Sequence, residues 1–88
     1  MKICGYSQID SVKDGKQTHG IMVHRIVPLA RSGSAGFKSN YIWLGDDLLE
    51  SFGLKRADII DCFEQQRDII IETVTENNYT NVASVLII

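Results

Sequence analysis

Short apolar runs separated by polar turn residues dominate this chain, and most of them alternate with a period of two. The first runs from Lys2 to about Val12. It sets Ile3, Gly5, Ser7 and Ile9 on one face and Cys4, Tyr6 and Gln8 on the other. The second, Thr18 to Val27, sets Ile21, Val23, Arg25 and Val27 against Met22, His24 and Ile26. Apolar residues on both faces predict a central strand or one in a dimer contact, and Pro28 ends ladder donation. Between these runs stands Lys13-Asp14-Gly15-Lys16. An Asp-Gly pair flanked by β-type residues predicts a type I′ hairpin, because both central residues need positive φ.

Farther along, Arg31-Ser-Gly-Ser-Ala-Gly36 reads as a flexible loop by composition. A third strand follows from Phe37 to Leu44, with Phe37, Tyr41 and Trp43 on one face and Ile42 and Leu44 on the other. Lys38 and Asn40 make that second face polar at its start, which argues for the aromatic rings pointing inward. A short helix is predicted over about residues 46–52, with Asp46 or Asp47 as N-cap and Gly53 as its stop. The segment from Ala57 to Val74 fits either a helical stripe of Ile59, Phe63, Ile70 and Val74 or two strands, Asp58–Glu64 and Asp68–Val74. The β-branched run Ile69-Ile70-Ile71 favours strands, and two strands are expected. A turn at Glu76-Asn77-Asn78 leads to a last strand, Asn81–Ile88, whose apolar end needs cover. The expected fold is a single all-β domain over residues 1–88, a small OB-like barrel of five to six strands with one short helix.

Eighty-eight residues bury only ~60–65% of their unfolded surface, so oligomerisation would add stability. No run reaches the ~18 apolar residues of a membrane helix, and Met1-Lys2-Ile3-Cys4 lacks the marks of a secretory signal. A cytoplasmic location is expected. Cys4 and Cys62 show no metal-ligand spacing and read as two buried thiols in a reducing compartment. The net charge of −2 conceals a split, +4 over residues 1–45 and −6 over residues 46–88. An acidic chain is a poor nonspecific binder of DNA, which requires many phosphate contacts.

Signs of catalysis are sparse. No nucleophile, base and acid are arranged together, and no glycine-rich phosphate loop or metal-ligand cluster stands out. Adjacent Asp46 and Asp47 at a helix start read as caps, and His24 reads as a strand residue. No enzymatic activity, cofactor or metal is expected. Phe37, Tyr41 and Trp43 carry the clearest functional signal. Aromatic rings on one sheet face stack nucleobases without reading sequence, and Lys13, Lys16, Arg25, Arg31 and Lys38 would track phosphates.

Several residues resemble a known family. Met1-Lys2-Ile3-Cys4-Gly5-Tyr6, Ile9-Asp10, Lys13-Asp14-Gly15-Lys16, Gly20, Ile42, Asp46-Asp47, Lys55 and Asp58-Ile59-Ile60 resemble small single-stranded DNA-binding proteins of Gram-positive phages and plasmids. That resemblance covers about residues 1–72. It implies an OB-like barrel akin in outline to the dimeric gene V protein of filamentous phages. Ala57 stands where that family has Gly, and Gln65–Asp68 lacks its usual Tyr and Gly. A second stretch, Trp43–Val74, is similar to the swapped-hairpin domains of MazE and AbrB type through Leu48, Leu54, Asp58, Ile69-Ile70-Ile71-Glu72 and Val74. Gly45 replaces the Pro of that pattern.

Three functions follow as expectations. The first is a homodimeric protein that binds single-stranded DNA without sequence preference in phage or plasmid replication. It would stack bases on Tyr6, Phe37, Tyr41 or Trp43 and contact phosphates through Lys13, Lys16, Arg25, Arg31 and Lys38. The second is a swapped-hairpin regulator or antitoxin that binds double-stranded DNA. The third is a β-rich protein-interaction module, a reading that the acidic composition favours.

Overall fold

The computed structural model describes residues 2–88. Strands β1 (Gly5–Lys13), β2 (Lys16–Pro28) and β3 (Phe37–Gly45) form one antiparallel sheet in the order β1-β2-β3. Helices α1 (Asp46–Ser51) and α2 (Arg56–Glu64) follow. Strands β4 (Ile69–Glu76) and β5 (Tyr79–Ile87) pair with each other as a separate two-stranded sheet.

The Asp14-Gly15 turn sets the first register. Both residues have positive φ, 52° and 75°. From it the β1–β2 ladder runs regularly from Lys13↔Lys16 to Gly5↔His24. On the other side of β2, Ile21 pairs with Leu44 and Val23 with Ile42. These four side chains share one face and are buried. Leu49 of α1, Ile59 and Cys62 of α2, Ile69 of β4 and Ile3 complete the core. Helices and hairpin therefore pack on the inner face of the three-stranded sheet.

This arrangement corrects the expected barrel. β1 and β3 are both end strands, and among the described residues no ladder joins the two sheets. An isolated bridge, Lys2↔Asp68, lies between the N-terminal segment and the start of the hairpin. The expected strand over Asp58–Glu64 is helix α2. The Lys55 backbone N–H donates to Asp58 Oδ2 at 2.8 Å, satisfying the position before the first turn. Ile59 and Cys62, three residues apart on one face, are both buried. A tertiary apolar stripe thus overrides the weak helix preference of Ile59 and Ile60. Helix α1 falls where expected, but its N-cap is Gly45, without a side-chain capping bond. The left-handed Gly53 (φ 73°) follows its end.

The last strand does not close a barrel. It turns back on β4 through Asn77 and Asn78, which have φ of 50° and 66°. The β4–β5 register shifts so that Glu72 faces Ser84 while Thr73 faces Val82, leaving Ala83 as the extra residue of a bulge. The bulge explains a broken alternation. Val82 lies three residues from Val85 in sequence, yet both pack against the core with Ile71 and Ile87. The two cysteines are also unlike each other. Cys62 is buried and donates from Sγ to the Arg67 carbonyl at 3.3 Å, whereas Cys4 is exposed. Burial pushes the Cys62 thiol pKa up. Among the described residues, no helix is long and apolar enough to cross a membrane.

Candidate functional site

Three features stand out: a charged junction at β1, an apolar outer sheet face, and a cleft at the free edge of β3. The junction is centred on Arg56, the first residue of α2. Its Nε and Nη2 donate to Asp46 Oδ1 and Oδ2 at 2.7 and 2.8 Å. Its Nη1 and Nη2 donate to Asp10 Oδ2 and Oδ1 at 2.9 and 2.6 Å. A longer contact from Nη1 reaches Gln8 Oε1 at 3.5 Å. All five guanidinium N–H groups are thereby engaged, in two forked carboxylate pairs and one amide contact.

His19 joins from β2, with Nδ1 2.8 Å from Asp10 Oδ1 and Nε2 3.3 Å from Gln17 Oε1. An ionised carboxylate only accepts, so Nδ1 carries the proton of that bond. The hydrogen bonds from Arg56 hold the carboxyls of Asp10 and Asp46 below the usual carboxylate range. His19 adds to the effect on Asp10. The two carboxylates raise the Arg56 pKa in return. Carboxyls held ionised in this way are poor proton donors at neutral pH. The junction's chemistry is that of a clamp joining β1, β2 and the starts of both helices. Among the described residues, no group of three or more His, Cys, Asp or Glu side chains is placed to hold a metal ion.

The outer face of the three-stranded sheet is different in kind. Its central rows are Gly5–His24–Tyr41, Ser7–Met22–Trp43 and Ile9–Gly20–Gly45. His24 meets Tyr41 edge-on, with ring centroids 4.6 Å apart, and its Nε2 lies 3.2 Å from Ser7 Oγ. Trp43 lies across Gly20, where a Cβ would come within 2.7 Å of the indole and 2.5 Å of the Leu44 carbonyl oxygen. Toward the far end the face opens to solvent, with Ile26 59%, Tyr41 57% and Phe37 73% exposed. Among the described residues, Lys13 and Lys16, paired at the hairpin tip, are its only members with a formal charge.

The third feature is a cleft of about 490 Å³ between β3 and the far half of the β4–β5 hairpin. Residues 40–43 of β3 form one wall, Thr73 and residues 80–82 form the other, and Arg25 and Leu48 complete it. Arg25 is the only charged residue in that lining.

The residues that the sequence marked for nucleic acid do not share one surface. Phe37, Tyr41 and Trp43 lie on the outer face with Lys13 and Lys16. The inward orientation expected for the rings is corrected: Ile42 and Leu44 take the core side, in register with Val23 and Ile21. Arg25 and Lys38 lie on the opposite face from the rings, paired with Asn40 and Val27. Tyr6 faces inward and meets Phe63 edge-on, with centroids 5.5 Å apart. Arg31 sits in the β2–β3 connection, where its carbonyl accepts from Ser34 N–H at 3.1 Å.

Single-stranded DNA binding on an OB-like barrel is thereby overturned, since the barrel is absent and the phosphate-tracking cations are divided between faces. Nor does the structure provide the expected homodimer interface. The assignment to phage or plasmid replication falls with them. The Arg56 junction was missed in the sequence. Its Asp10–His19 part was accessible, because a turn centred on Asp14-Gly15 places those two residues opposite each other.

No family model matches the chain, and no curated protein or solved structure is significantly similar to it. The resemblances to phage single-stranded DNA-binding proteins and to MazE and AbrB domains therefore have no support from homology.

Proposed function

We propose that this domain is a protein-interaction module that docks a different protein on the outer face of β1–β3. The observation that carries this reading is the solvent exposure of Ile26, Phe37 and Tyr41 on a face that, among the described residues, no strand or helix covers. Contiguous exposed apolar side chains of this kind mark interaction surfaces, and aromatic anchors dominate binding energy at such surfaces. The partner is an apolar protein surface with acidic groups at one margin, opposite Lys13 and Lys16. Charge complementarity at that margin would set orientation and encounter rate more than affinity.

The test is site-specific photocrosslinking in the cells that produce the chain. Benzoylphenylalanine replaces Phe37 in one variant and Leu86, an exposed residue of the hairpin, in another. A discrete adduct with another protein is expected from position 37 only, and Ile26→Glu should abolish it. Equal adducts from both positions, adducts only with nucleic acid, or no adduct would overturn the reading.

A further inference from the structure

The apolar outer face of β1–β3 holds an imidazole in its midst. His24 stands between Met22 and Ile26 along β2, with Tyr41 beside it on β3. Imidazole is the side chain whose ordinary charge change falls between pH 5 and 8. The chain's other histidine, His19, is bonded to Asp10 in the Arg56 junction. A partner seated on Ile26 and Tyr41 cannot avoid His24, because its ring meets the Tyr41 ring with centroids 4.6 Å apart. Its direct neighbour on β1 is Gly5, so no side chain shields it on that side.

We infer that His24 makes docking on this face pH-sensitive: the partner binds while the imidazole is neutral and is released when acid protonates it. The inference rests on the reading of the outer face as a docking surface for another protein and names how that same site is regulated.

The surroundings of His24 decide the sign. From β1 it faces Gly5 and Ser7, from β3 Tyr41, and along β2 Met22 and Ile26. None of these is a carboxylate that could hold an imidazolium once water is excluded. Arg25 and Lys38 lie on the opposite face of the sheet. Lys13 and Lys16 share the outer face but sit at the hairpin tip, and as cations they would oppose a further positive charge.

The hydrogen bonding points the same way. Nε2 lies 3.2 Å from Ser7 Oγ, and a hydroxyl can serve either a neutral or a protonated ring there. Protonation makes both ring nitrogens donors, so Nδ1 then needs an acceptor as well. Water supplies one while the face is open. An apolar partner displaces that water and offers no acceptor in return. Burying the charged ring is therefore disfavoured, and docking and protonation oppose each other.

The experiment identifies and purifies the protein crosslinked from position 37 and titrates it into the full chain by calorimetry. From about pH 7.5 to about pH 5.5 the wild-type Kd should rise about tenfold, as expected for one imidazole that must lose its proton to bind. His24→Gln, always neutral, should lose that dependence, and His24→Arg, always charged, should bind weakly across the range. Circular dichroism of each variant checks the fold. If neither variant folds, calorimetry of the wild type in buffers of different ionisation enthalpy decides, because docking in acid should release a proton. Imidazole C–H shifts should assign that proton to His24.

A Kd that is constant or tighter in acid would overturn the inference. So would a wild-type dependence that survives in His24→Gln, or binding in acid without proton release. A discrete position-37 adduct combined with any of these results would leave the outer-face reading standing. No discrete adduct at either pH would sink that reading and this inference together.

Discussion

The three-stranded sheet and the β4–β5 hairpin begin from similar local chemistry and reach different degrees of burial. Each has a two-residue turn with positive φ at both central residues, Asp14-Gly15 in one and Asn77-Asn78 in the other. The larger sheet buries Ile21, Val23, Ile42 and Leu44 on its inner face, whereas the hairpin buries Ile69 alone. Charge divides at nearly the same boundary. The chain through Gly45 sums to +4, and the helices and hairpin sum to −6. Turn chemistry sets pairing in both sheets, but only the face met by other elements becomes core. An isolated hairpin is marginal at best, and this one holds on through Ile69, Ile71, Val82, Val85 and Ile87.

The contrast breaks most visibly in the core. Ile21→Ala removes a fully buried side chain from the central strand and is expected to cost ~2–5 kcal/mol. Leu86→Ala, on the solvent side of the hairpin, is expected to stay within ~0.5 kcal/mol. Chemical denaturation of both variants measures the difference. Equal losses would mean that the hairpin's outer face is packed in solution and that the asymmetry is wrong.

A smaller effect tests the outer face of the larger sheet. Gly20→Ala sets a methyl group against the Trp43 indole and, closer still, the Leu44 carbonyl oxygen. The ring can swing away, but the carbonyl belongs to the β3 ladder and cannot move freely. A cost of ~1–3 kcal/mol is expected, with a changed Trp43 emission maximum in the folded state. Unchanged emission and stability would show that the indole does not lie over Gly20.

These positions show how far the sequence could be read. The Asp14-Gly15 pair sufficed to place β1 against β2, because a two-residue turn with no bulge leaves one register. Apolar residues on both faces of β2 correctly implied a central strand. Which face of β3 would be buried was not legible. Ile42 and Leu44 compete with Phe37, Tyr41 and Trp43, and the outcome depends on where α1, α2 and Ile69 land. Helix α2 was hidden for a related reason. Ile59 and Ile60 look strand-like in isolation, and the local signal for a helix start was the spacing of Lys55 and Asp58. The barrel failed because closure needs ladders between distant strands, and no residue pattern specifies those. The two main walls of the cleft at β3, residues 40–43 and Thr73 with residues 80–82, are thirty or more positions apart in the chain, so neither announces it alone.

The smallest effect sharpens the comparison at the junction that guards β1. Asp10 and Asp46 have folded pKa values held below the ordinary 3.8 by the hydrogen bonds from Arg56. In the unfolded chain those bonds are gone, so the unfolded state binds protons first as pH falls. Stability from the junction is therefore complete above the unfolded carboxyl value and is lost as pH drops below it toward the depressed folded values. Arg56→Gln keeps an amide but removes the guanidinium that lowers both pKa values. Its denaturation midpoint should lie below wild type at pH 7, by less than in Ile21→Ala, and the gap should narrow below about pH 4, where unfolded aspartates protonate. The junction is largely open to solvent on its carboxylate side, so added salt should also narrow the gap. A gap for Arg56→Gln that is constant from neutral to acid pH would mean that Arg56 supports β1 through packing of its side chain and not through its two carboxylates.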